Sequence, residues 1–163
     1  MSKISWARVD YRLIHGQVIT KWSKIASANS IVIVDDLLGA DEFMASIYKM
    51  AAPSGVSVDI KTTSDAAAAY RDGTLGSGNV FLLFKNVAAA RASHEAGLAF
   101  ETLQLGGIPA EAGRKVVFPA VALGPEEVED IRALHDAGVD IQIQVVPEEA
   151  GISYEEALKK YES

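Results

Sequence analysis

The sequence contains no cysteine among its 163 residues. Disulfides, metal sites built on thiolates and catalysis by a cysteine nucleophile are therefore excluded. The absence suits a reducing cytoplasm. Covalent chemistry must use another side chain, and the three histidines are few enough to be examined one by one.

Long apolar runs and a surplus of basic residues are also missing. Hydrophobic residues make up 49% of the chain, yet no run approaches the roughly 20 residues that cross a bilayer, and no leader-like segment opens the sequence. We therefore expect a soluble, unprocessed protein. The formal net charge of −7 argues against a nucleic-acid partner, because nucleic-acid binders usually present a basic stripe.

The glycine-rich motifs that bind nucleotide phosphates do not occur. Segment 73–79 holds three glycines, but it joins a predicted helix to a predicted strand. A dinucleotide fingerprint requires the opposite order, and the pattern G-x-x-x-x-G-K-[ST] is found nowhere in the chain. We interpret this segment as a flexible connection.

Apolar strands alternate with amphipathic helices along the chain. The patterns predict strands near residues 4–9, 30–34, 56–61, 80–84, 102–105, 116–118, 120–123 and 139–146. They predict helices near residues 16–28, 41–51, 63–71, 87–96, 125–137 and 153–161. This order indicates a single α/β domain over residues 1–163, a three-layer sandwich with a mostly parallel central sheet and helices on both faces. The apolar strand 80–84 should be central, strand 56–61 should be near an edge, and Pro119 should restrict its neighbours to short or edge pairing.

The densest group of reactive residues lies where the first strand ends and the first helix begins. Within nine residues the chain carries two arginines, an aspartate and a histidine: Arg8, Asp10, Arg12 and His15, followed by Gly16 and Gln17. At such a junction the first N–H groups of the helix lack partners and attract an anion. Imidazole is a good nucleophile near neutral pH, and arginine can grip phosphate oxygens in a bidentate fork. His15 is therefore a candidate phosphoryl acceptor. A general base assisted by Asp10, or a histidine that merely neighbours a helix N-cap, are the alternatives.

Further candidates follow other predicted parallel strands, whose carboxyl ends share one edge of the sheet. As lining of the site we select Asp35, Lys85, Asn86, Gly106 and Gly107, because ligands in such folds gather beyond this edge. Asp35 and Asp36 could bind a metal, but we favour capping of the helix near residues 41–51, or a turn, for both. The two glycines either allow a close approach of backbone to ligand or form a plain turn.

The other two histidines sit in equivalent places. His94 and His135 each lie three residues before a glycine that should end a helix. A positive or hydrogen-bonding side chain is favoured there by the free carbonyls of the last turn. We therefore assign both to helix ends, without a catalytic role.

The segment Arg8–Val18, which reads R-x-D-x-R-L-I-H-G-Q-V, resembles the active-site signature of a known family. These are the enzyme IIB subunits of the mannose/fructose/sorbose class of the bacterial phosphoenolpyruvate-dependent sugar phosphotransferase system (PTS). The resemblance continues through segments 31–36, 52–56, 82–84 and 105–107 and so covers nearly the whole chain. One departure is Tyr11, where many members carry a second acidic residue.

This resemblance implies a protein-Nπ-phosphohistidine–sugar phosphotransferase. In the family, the histidine matching His15 takes a phosphoryl group from a histidine of the IIA partner. It then passes the group to a sugar that is imported through the membrane subunits IIC and IID. Arg8 and Arg12 would neutralise the phosphoryl oxygens, Asp10 would orient Arg12 or the imidazole, and Gly16 and Gln17 would complete the cradle. The scheme needs no metal and no cofactor.

The same resemblance implies a cytoplasmic protein bound peripherally to its permease. Its sugar could be mannose, fructose, sorbose or an amino sugar such as N-acetylgalactosamine. Homo-oligomerisation is compatible with the sequence. The alternatives from other functional classes are a stand-alone phosphatase or hydrolase with His15 as its nucleophile, and an anion-binding module without turnover.

Overall fold

The computed structural model describes residues 3–163, with the side chains of Gln17 and Val18 outside the description. Its strands are β1 (Lys3–Asp10), β2 (Ser30–Val34), β3 (Ser57–Lys61), β4 (Asn79–Phe84), β5 (Thr102–Gly107), β6 (Lys115–Phe118), β7 (Val121–Leu123), β8 (Asp140–Ile143) and β9 (Ile152–Ser153). Its helices are α1 (Gly16–Ile25), α2 (Asp36–Gly39), α3 (Glu42–Met50), α4 (Thr63–Asp72), α5 (Val87–Glu95), α6 (Pro125–Asp136) and α7 (Tyr154–Glu162). None of these helices has the length and apolar character required to cross a bilayer.

Seven strands form one sheet in the order β3-β2-β4-β1-β5-β8-β9. All neighbouring pairs run parallel except β8 and β9. This arrangement confirms the predicted α/β fold with a mostly parallel sheet. It also confirms that β3 lies at an edge and that β4, with its apolar run 80–84, lies inside the sheet, one strand from its middle.

The two faces of the sheet carry separate hydrophobic cores, because successive side chains of a strand point to opposite faces. In β2, Ile31 and Ile33 pack with α1, α2 and α3 on one face. Val32 and Val34 belong to the core on the other face, which also contains residues of α4, α5, α6 and α7. The three predicted layers follow directly from this alternation.

Several boundaries differ from the predictions. Helix α1 ends at Ile25 rather than near residue 28 because Ser27 takes a positive φ of 50°. Strand β8 stops at Ile143 rather than near residue 146, since the chain leaves the sheet at Gln144 and crosses above β1. The short elements α2 and β9 were not predicted. The pairing expected around Pro119 is confirmed as a two-stranded antiparallel ribbon of β6 and β7, separate from the main sheet.

Asp35 caps a helix, as predicted, but this helix is α2 and not the predicted one near residues 41–51. The Asp35 side chain is the N-cap of α2 and accepts a hydrogen bond from the N–H of Leu38 at 3.0 Å. Asp36 accepts one from the N–H of Thr63 at 2.8 Å. The next helix, α3, is capped instead by Asp41.

Candidate functional site

The loop that carries His15 rises from the middle strand of the sheet. Strand β1 ends at Asp10, helix α1 begins at Gly16, and residues 11–15 join them at the carboxyl edge of β1. Leu13 turns the loop with a positive φ of 58°, an uncommon conformation for a residue with a branched side chain. Its side chain is fully buried in the core under α1. Burial of Leu13 therefore stabilises a turn that the backbone alone disfavours.

Asp10 is the centre of the site. Its carboxylate is 1% exposed and accepts hydrogen bonds from His15 Nε2 at 2.9 Å and from the Arg12 N–H at 3.1 Å. Arg12 Nε lies 3.3 Å from Oδ1, and Arg8 Nη2 lies 3.4 Å from Oδ2. We call these four residues the Asp10 network. One buried carboxylate thus holds an imidazole and two guanidiniums, which offsets the cost of burying its charge.

His15 is the N-cap residue of α1, with extended backbone angles, but its side chain makes no capping bond. The imidazole is committed to Asp10 instead and remains 21% exposed. Helix α1 also has no acidic residue in its first turn. Each of the other six helices in the described chain has a side-chain cap, an acidic first turn or both. The positive end of α1 is therefore uncompensated beside His15, a favourable place for an anion.

Arg8 is placed differently from what the sequence led us to expect. Its side chain is fully buried, with its guanidinium 5.3 Å from the centre of the Trp22 ring. Nη1 donates to Gln104 Oε1 and, at 3.1 Å, to the carbonyl of Gln144, while Nη2 donates to the carbonyl of Val145 at 2.9 Å. Burial lowers the pKa of Arg8 to about 10, against the opposing effect of Asp10, so the group stays charged at neutral pH. Its complete burial argues against the predicted direct contact with phosphoryl oxygens.

Arg12 is the cation that faces solvent. Its side chain is 38% exposed, and the guanidinium carbon lies 5.6 Å from the centre of the Tyr11 ring. Of the three guanidinium nitrogens, only Nε is bonded to Asp10. The two terminal nitrogens have no partner among the described residues. They remain available to a phosphoryl group that approaches the loop. The predicted contribution of the Gln17 side chain lies outside the described residues.

Gly106 and Gly107 lie at the predicted edge, but they accommodate side chains of the network. At Gly106 the pairing of β1 with β5 slips by one residue, so this glycine forms a bulge. A Cβ built on Gly106 would stand 2.0 Å from Arg8 Cζ, and one built on Gly107 would stand 2.7 Å from Asp10 Oδ1. Both positions lack side chains because the Asp10 network occupies that space.

The remaining candidates for lining share the edge but do not join the network. Strand register aligns Val34, Phe84 and Val9, so Asp35 and Lys85 follow at the same level as Asp10. Asp35 caps α2 as described above. Asn86 caps α5 through the N–H of Ala89 at 2.8 Å, and Lys85 is exposed. His94 and His135 lie in the last turns of α5 and α6, as predicted.

Comparison with known families identifies the chain. Residues 4–163 match the model of the PTS system sorbose subfamily IIB component. The chain belongs to this IIB family. It is 34% identical over 151 residues to the sorbose-specific EIIB component of Klebsiella pneumoniae, covering 93% of this chain and 92% of that protein. It is 27% identical over 157 residues to the mannose-specific EIIAB component of Escherichia coli K12, covering 96% of this chain and 49% of that protein.

Solved structures of IIB proteins have the same fold. Superposition on manxB from Thermoanaerobacter tengcongensis gives a TM-score of 0.91 at 40% identity, covering 99% of this chain and 98% of that one. The IIBSor domain of the sorbose permease from Klebsiella pneumoniae gives 0.90 at 33% identity, with 97% of each chain covered. The agreement extends over nearly the whole length of this IIB chain.

Sequence reasoning missed three parts of this IIB site. Gln104 and the carbonyls of residues 144 and 145 hold Arg8, yet they lie 96 to 137 residues away along the chain. Gln104 carried one usable signal, a polar residue inside an apolar strand, T-L-Q-L. The carbonyls carried none, because a backbone acceptor does not depend on the side chain.

Proposed function

We propose that this chain is the phosphocarrier of a sugar phosphotransferase system, with His15 as the residue that carries the phosphoryl group. The hydrogen bond between His15 Nε2 and Asp10 Oδ2, 2.9 Å long, is the observation that supports this most strongly. A carboxylate can only accept, so Nε2 must carry the proton. In the neutral imidazole the lone pair is then on Nδ1, and the ring orientation is fixed by a buried group.

In this proposal Nδ1 attacks the phosphorus of a phosphohistidine on a IIA partner. The bond from phosphorus to Nδ1 forms while the bond to the donor imidazole breaks. The His15 ring keeps its proton on Nε2 and becomes cationic, and Asp10 stabilises that charge. In the second step a sugar hydroxyl attacks the phosphorus and releases its proton to solvent, while the bond from phosphorus to Nδ1 breaks. His15 returns to its neutral form with its proton still on Nε2.

Arg12 and the N-terminus of α1 would hold the phosphoryl oxygens. The free terminal nitrogens of Arg12 supply two donors in a plane, and the unbonded N–H groups at the start of the helix supply others. Arg8 acts beneath them by fixing Asp10. No metal enters this scheme, because fixed donors can stabilise the charge that develops during transfer.

Membership of the family supports the choice of donor and acceptor partners. The Escherichia coli relative is named a mannose-specific EIIAB component and aligns with this chain over 49% of its length. Its name combines an A with a B component, which supports a IIA protein as the donor to this chain. We assign the acceptor to a sugar presented by membrane subunits IIC and IID, with the chain docked peripherally on the cytoplasmic side. The activity is that of a protein-Nπ-phosphohistidine–sugar phosphotransferase, in which Nπ is Nδ1.

Removal of His15 tests the proposal. His15→Ala should abolish uptake of radiolabelled phosphate from a phosphorylated IIA protein. His94→Ala and His135→Ala are matched controls and should retain uptake, since both histidines pack at helix ends against aromatic rings. Label on either control histidine, or release of free phosphate without a sugar acceptor, would contradict the assignment. The second outcome would indicate a phosphatase.

A further inference from the structure

Arg8, the most deeply buried member of the Asp10 network, is bonded to Gln104, a residue to which the proposed function assigns no role. Gln104 lies in β5 directly opposite Arg8 in the strand register and is 5% exposed. Its Oε1 accepts from Arg8 Nη1 and, at 3.3 Å, from Trp6 Nε1. Both neighbours present N–H groups, so the atom they share must be the amide oxygen. The orientation of Gln104 is therefore fixed by its neighbours.

The acceptors around Arg8 divide into neutral groups and one charged group. Gln104 and the carbonyls of residues 144 and 145 are neutral. Asp10 is the single carboxylate within ion-pair distance of Arg8 among the described residues. The neutral acceptors thus fix the position of the guanidinium, while its charge is balanced by Asp10. A carboxylate at position 104 would satisfy the same N–H groups but would compete for that charge.

We propose that Gln104 is a positioning residue for phosphoryl transfer, which acts on His15 through Arg8 and Asp10. The inference rests on the proposed function and extends it to a residue that touches neither His15 nor an incoming phosphoryl group. Its two properties matter separately. The amide oxygen sets where Arg8 lies, and the lack of charge leaves Arg8 paired with Asp10.

Two substitutions separate these properties. Gln104→Met keeps the size and removes the acceptor, so phosphorylation of His15 by a IIA donor should slow by about 10-fold at every pH. This is the lower end of the losses found when groups that orient metal-ligating histidines are removed. Gln104→Glu keeps the acceptor and adds a charge. It should move the pH profile of phosphorylation to higher pH, because an added carboxylate favours the protonated, non-nucleophilic imidazole.

Gln142 provides the matched control. It lies opposite Gln104 on β8, is exposed, and donates to Asp140 Oδ2 at 3.0 Å without contacting Arg8. Gln142→Met and Gln142→Glu should leave the rate and the pH profile unchanged. Rates are compared per folded molecule, with the folded fraction taken from urea unfolding. If both Gln104 variants slow only in proportion to their folded fraction and keep the parent profile, the residue is merely structural and the proposal is overturned.

A second readout does not depend on transfer. Imidazole ¹⁵N spectra of the unphosphorylated protein should show the Nε2–H form of His15 in the parent and both Gln142 variants. Gln104→Met should show a mixture of the two tautomers, because Asp10 is no longer fixed. An unchanged spectrum in Gln104→Met would overturn the positioning role. If the parent accepts no phosphate from a IIA donor, the proposed function fails, and this spectrum still decides the role of Gln104.

Discussion

Substitution of Gly106 by alanine should disturb the site by displacing the buried guanidinium of Arg8. The new Cβ would stand 2.0 Å from Arg8 Cζ, whereas ordinary van der Waals contact begins at 3.4 Å, so the guanidinium must move by about 1.4 Å. Its bonds to the carbonyls of residues 144 and 145 measure 3.1 and 2.9 Å and do not tolerate a displacement of that size. The backbone of β5 cannot yield easily, because Leu105 and Gly107, the residues on either side of Gly106, are both paired with β1.

The size of the effect follows from the bonds at risk. Each hydrogen bond of a charged group contributes about 1.5–3 kcal/mol, and overpacking of a core costs about 1–3 kcal/mol. The lower limits for two such bonds and for overpacking together give about 4 kcal/mol, so we expect Gly106→Ala to lower the free energy of unfolding by at least about 4 kcal/mol and to slow phosphorylation of His15. Urea unfolding monitored by circular dichroism measures the first quantity, and transfer of label from a phosphorylated IIA protein measures the second.

A second glycine serves as the control. A Cβ on Gly73 would meet nothing within 4 Å, but this residue has a positive φ of 74°. Gly73→Ala should therefore lower the free energy of unfolding by only about 1–2 kcal/mol, the effect of an alanine in the left-handed conformation, and leave phosphoryl transfer intact. The reasoning about Arg8 fails if Gly106→Ala is no more destabilised than Gly73→Ala, or if it transfers phosphate at the parent rate.

Two further predictions concern the exposed side of the site. Arg12→Lys keeps the charge but loses the planar fork, so the transfer rate should fall by roughly 10-fold, equivalent to ~1.4 kcal/mol; equal rates in stopped-flow measurements would make Arg12 a plain surface charge. Phosphorylation should slow amide hydrogen exchange at residues 16–18, where the helix N–H groups would bind the phosphoryl oxygens, with little change in β4. Exchange at residues 16–18 that is unchanged or faster would exclude the N-terminus of α1 as the phosphate cradle.

The sequence predicts the fold well because local patterns encode it. The apolar runs of β2 and β4 indicate that both strands are interior, and Ser153, which caps α7, is readable as a helix start. Strand β8 was predicted too long because Val145 and Val146 extend its apolar residues beyond Ile143. A long-range contact with Arg8, which no local pattern records, draws them out of the sheet.

The sequence predicted which residues form the site better than it predicted what each residue does there. The loop sequence brings Asp10, Arg12 and His15 together through neighbours in the chain, so their proximity is readable. Arg8 and Asp10 are two residues apart in β1 and so lie on the same face of the strand. The sequence does not indicate that the Arg8 guanidinium is buried on the interior side of the Asp10 carboxylate and not on its solvent side. The bulge at Gly106 leaves room for the guanidinium on the interior side, and a bulge depends on the register between two strands.

The position of β1 has a consequence for how the protein folds. Both neighbours of β1 in the sheet are far from it along the chain: β4 begins at Asn79 and β5 at Thr102. The carbonyls that hold Arg8 come later still, 136 and 137 residues after it. Contacts across such separations require the closure of long loops and form slowly. During synthesis, therefore, the His15 loop is made first, but the contacts that fix Arg8 beneath it form only after nearly the whole chain has been made, so an unfinished chain would lack part of the proposed phosphoryl acceptor site.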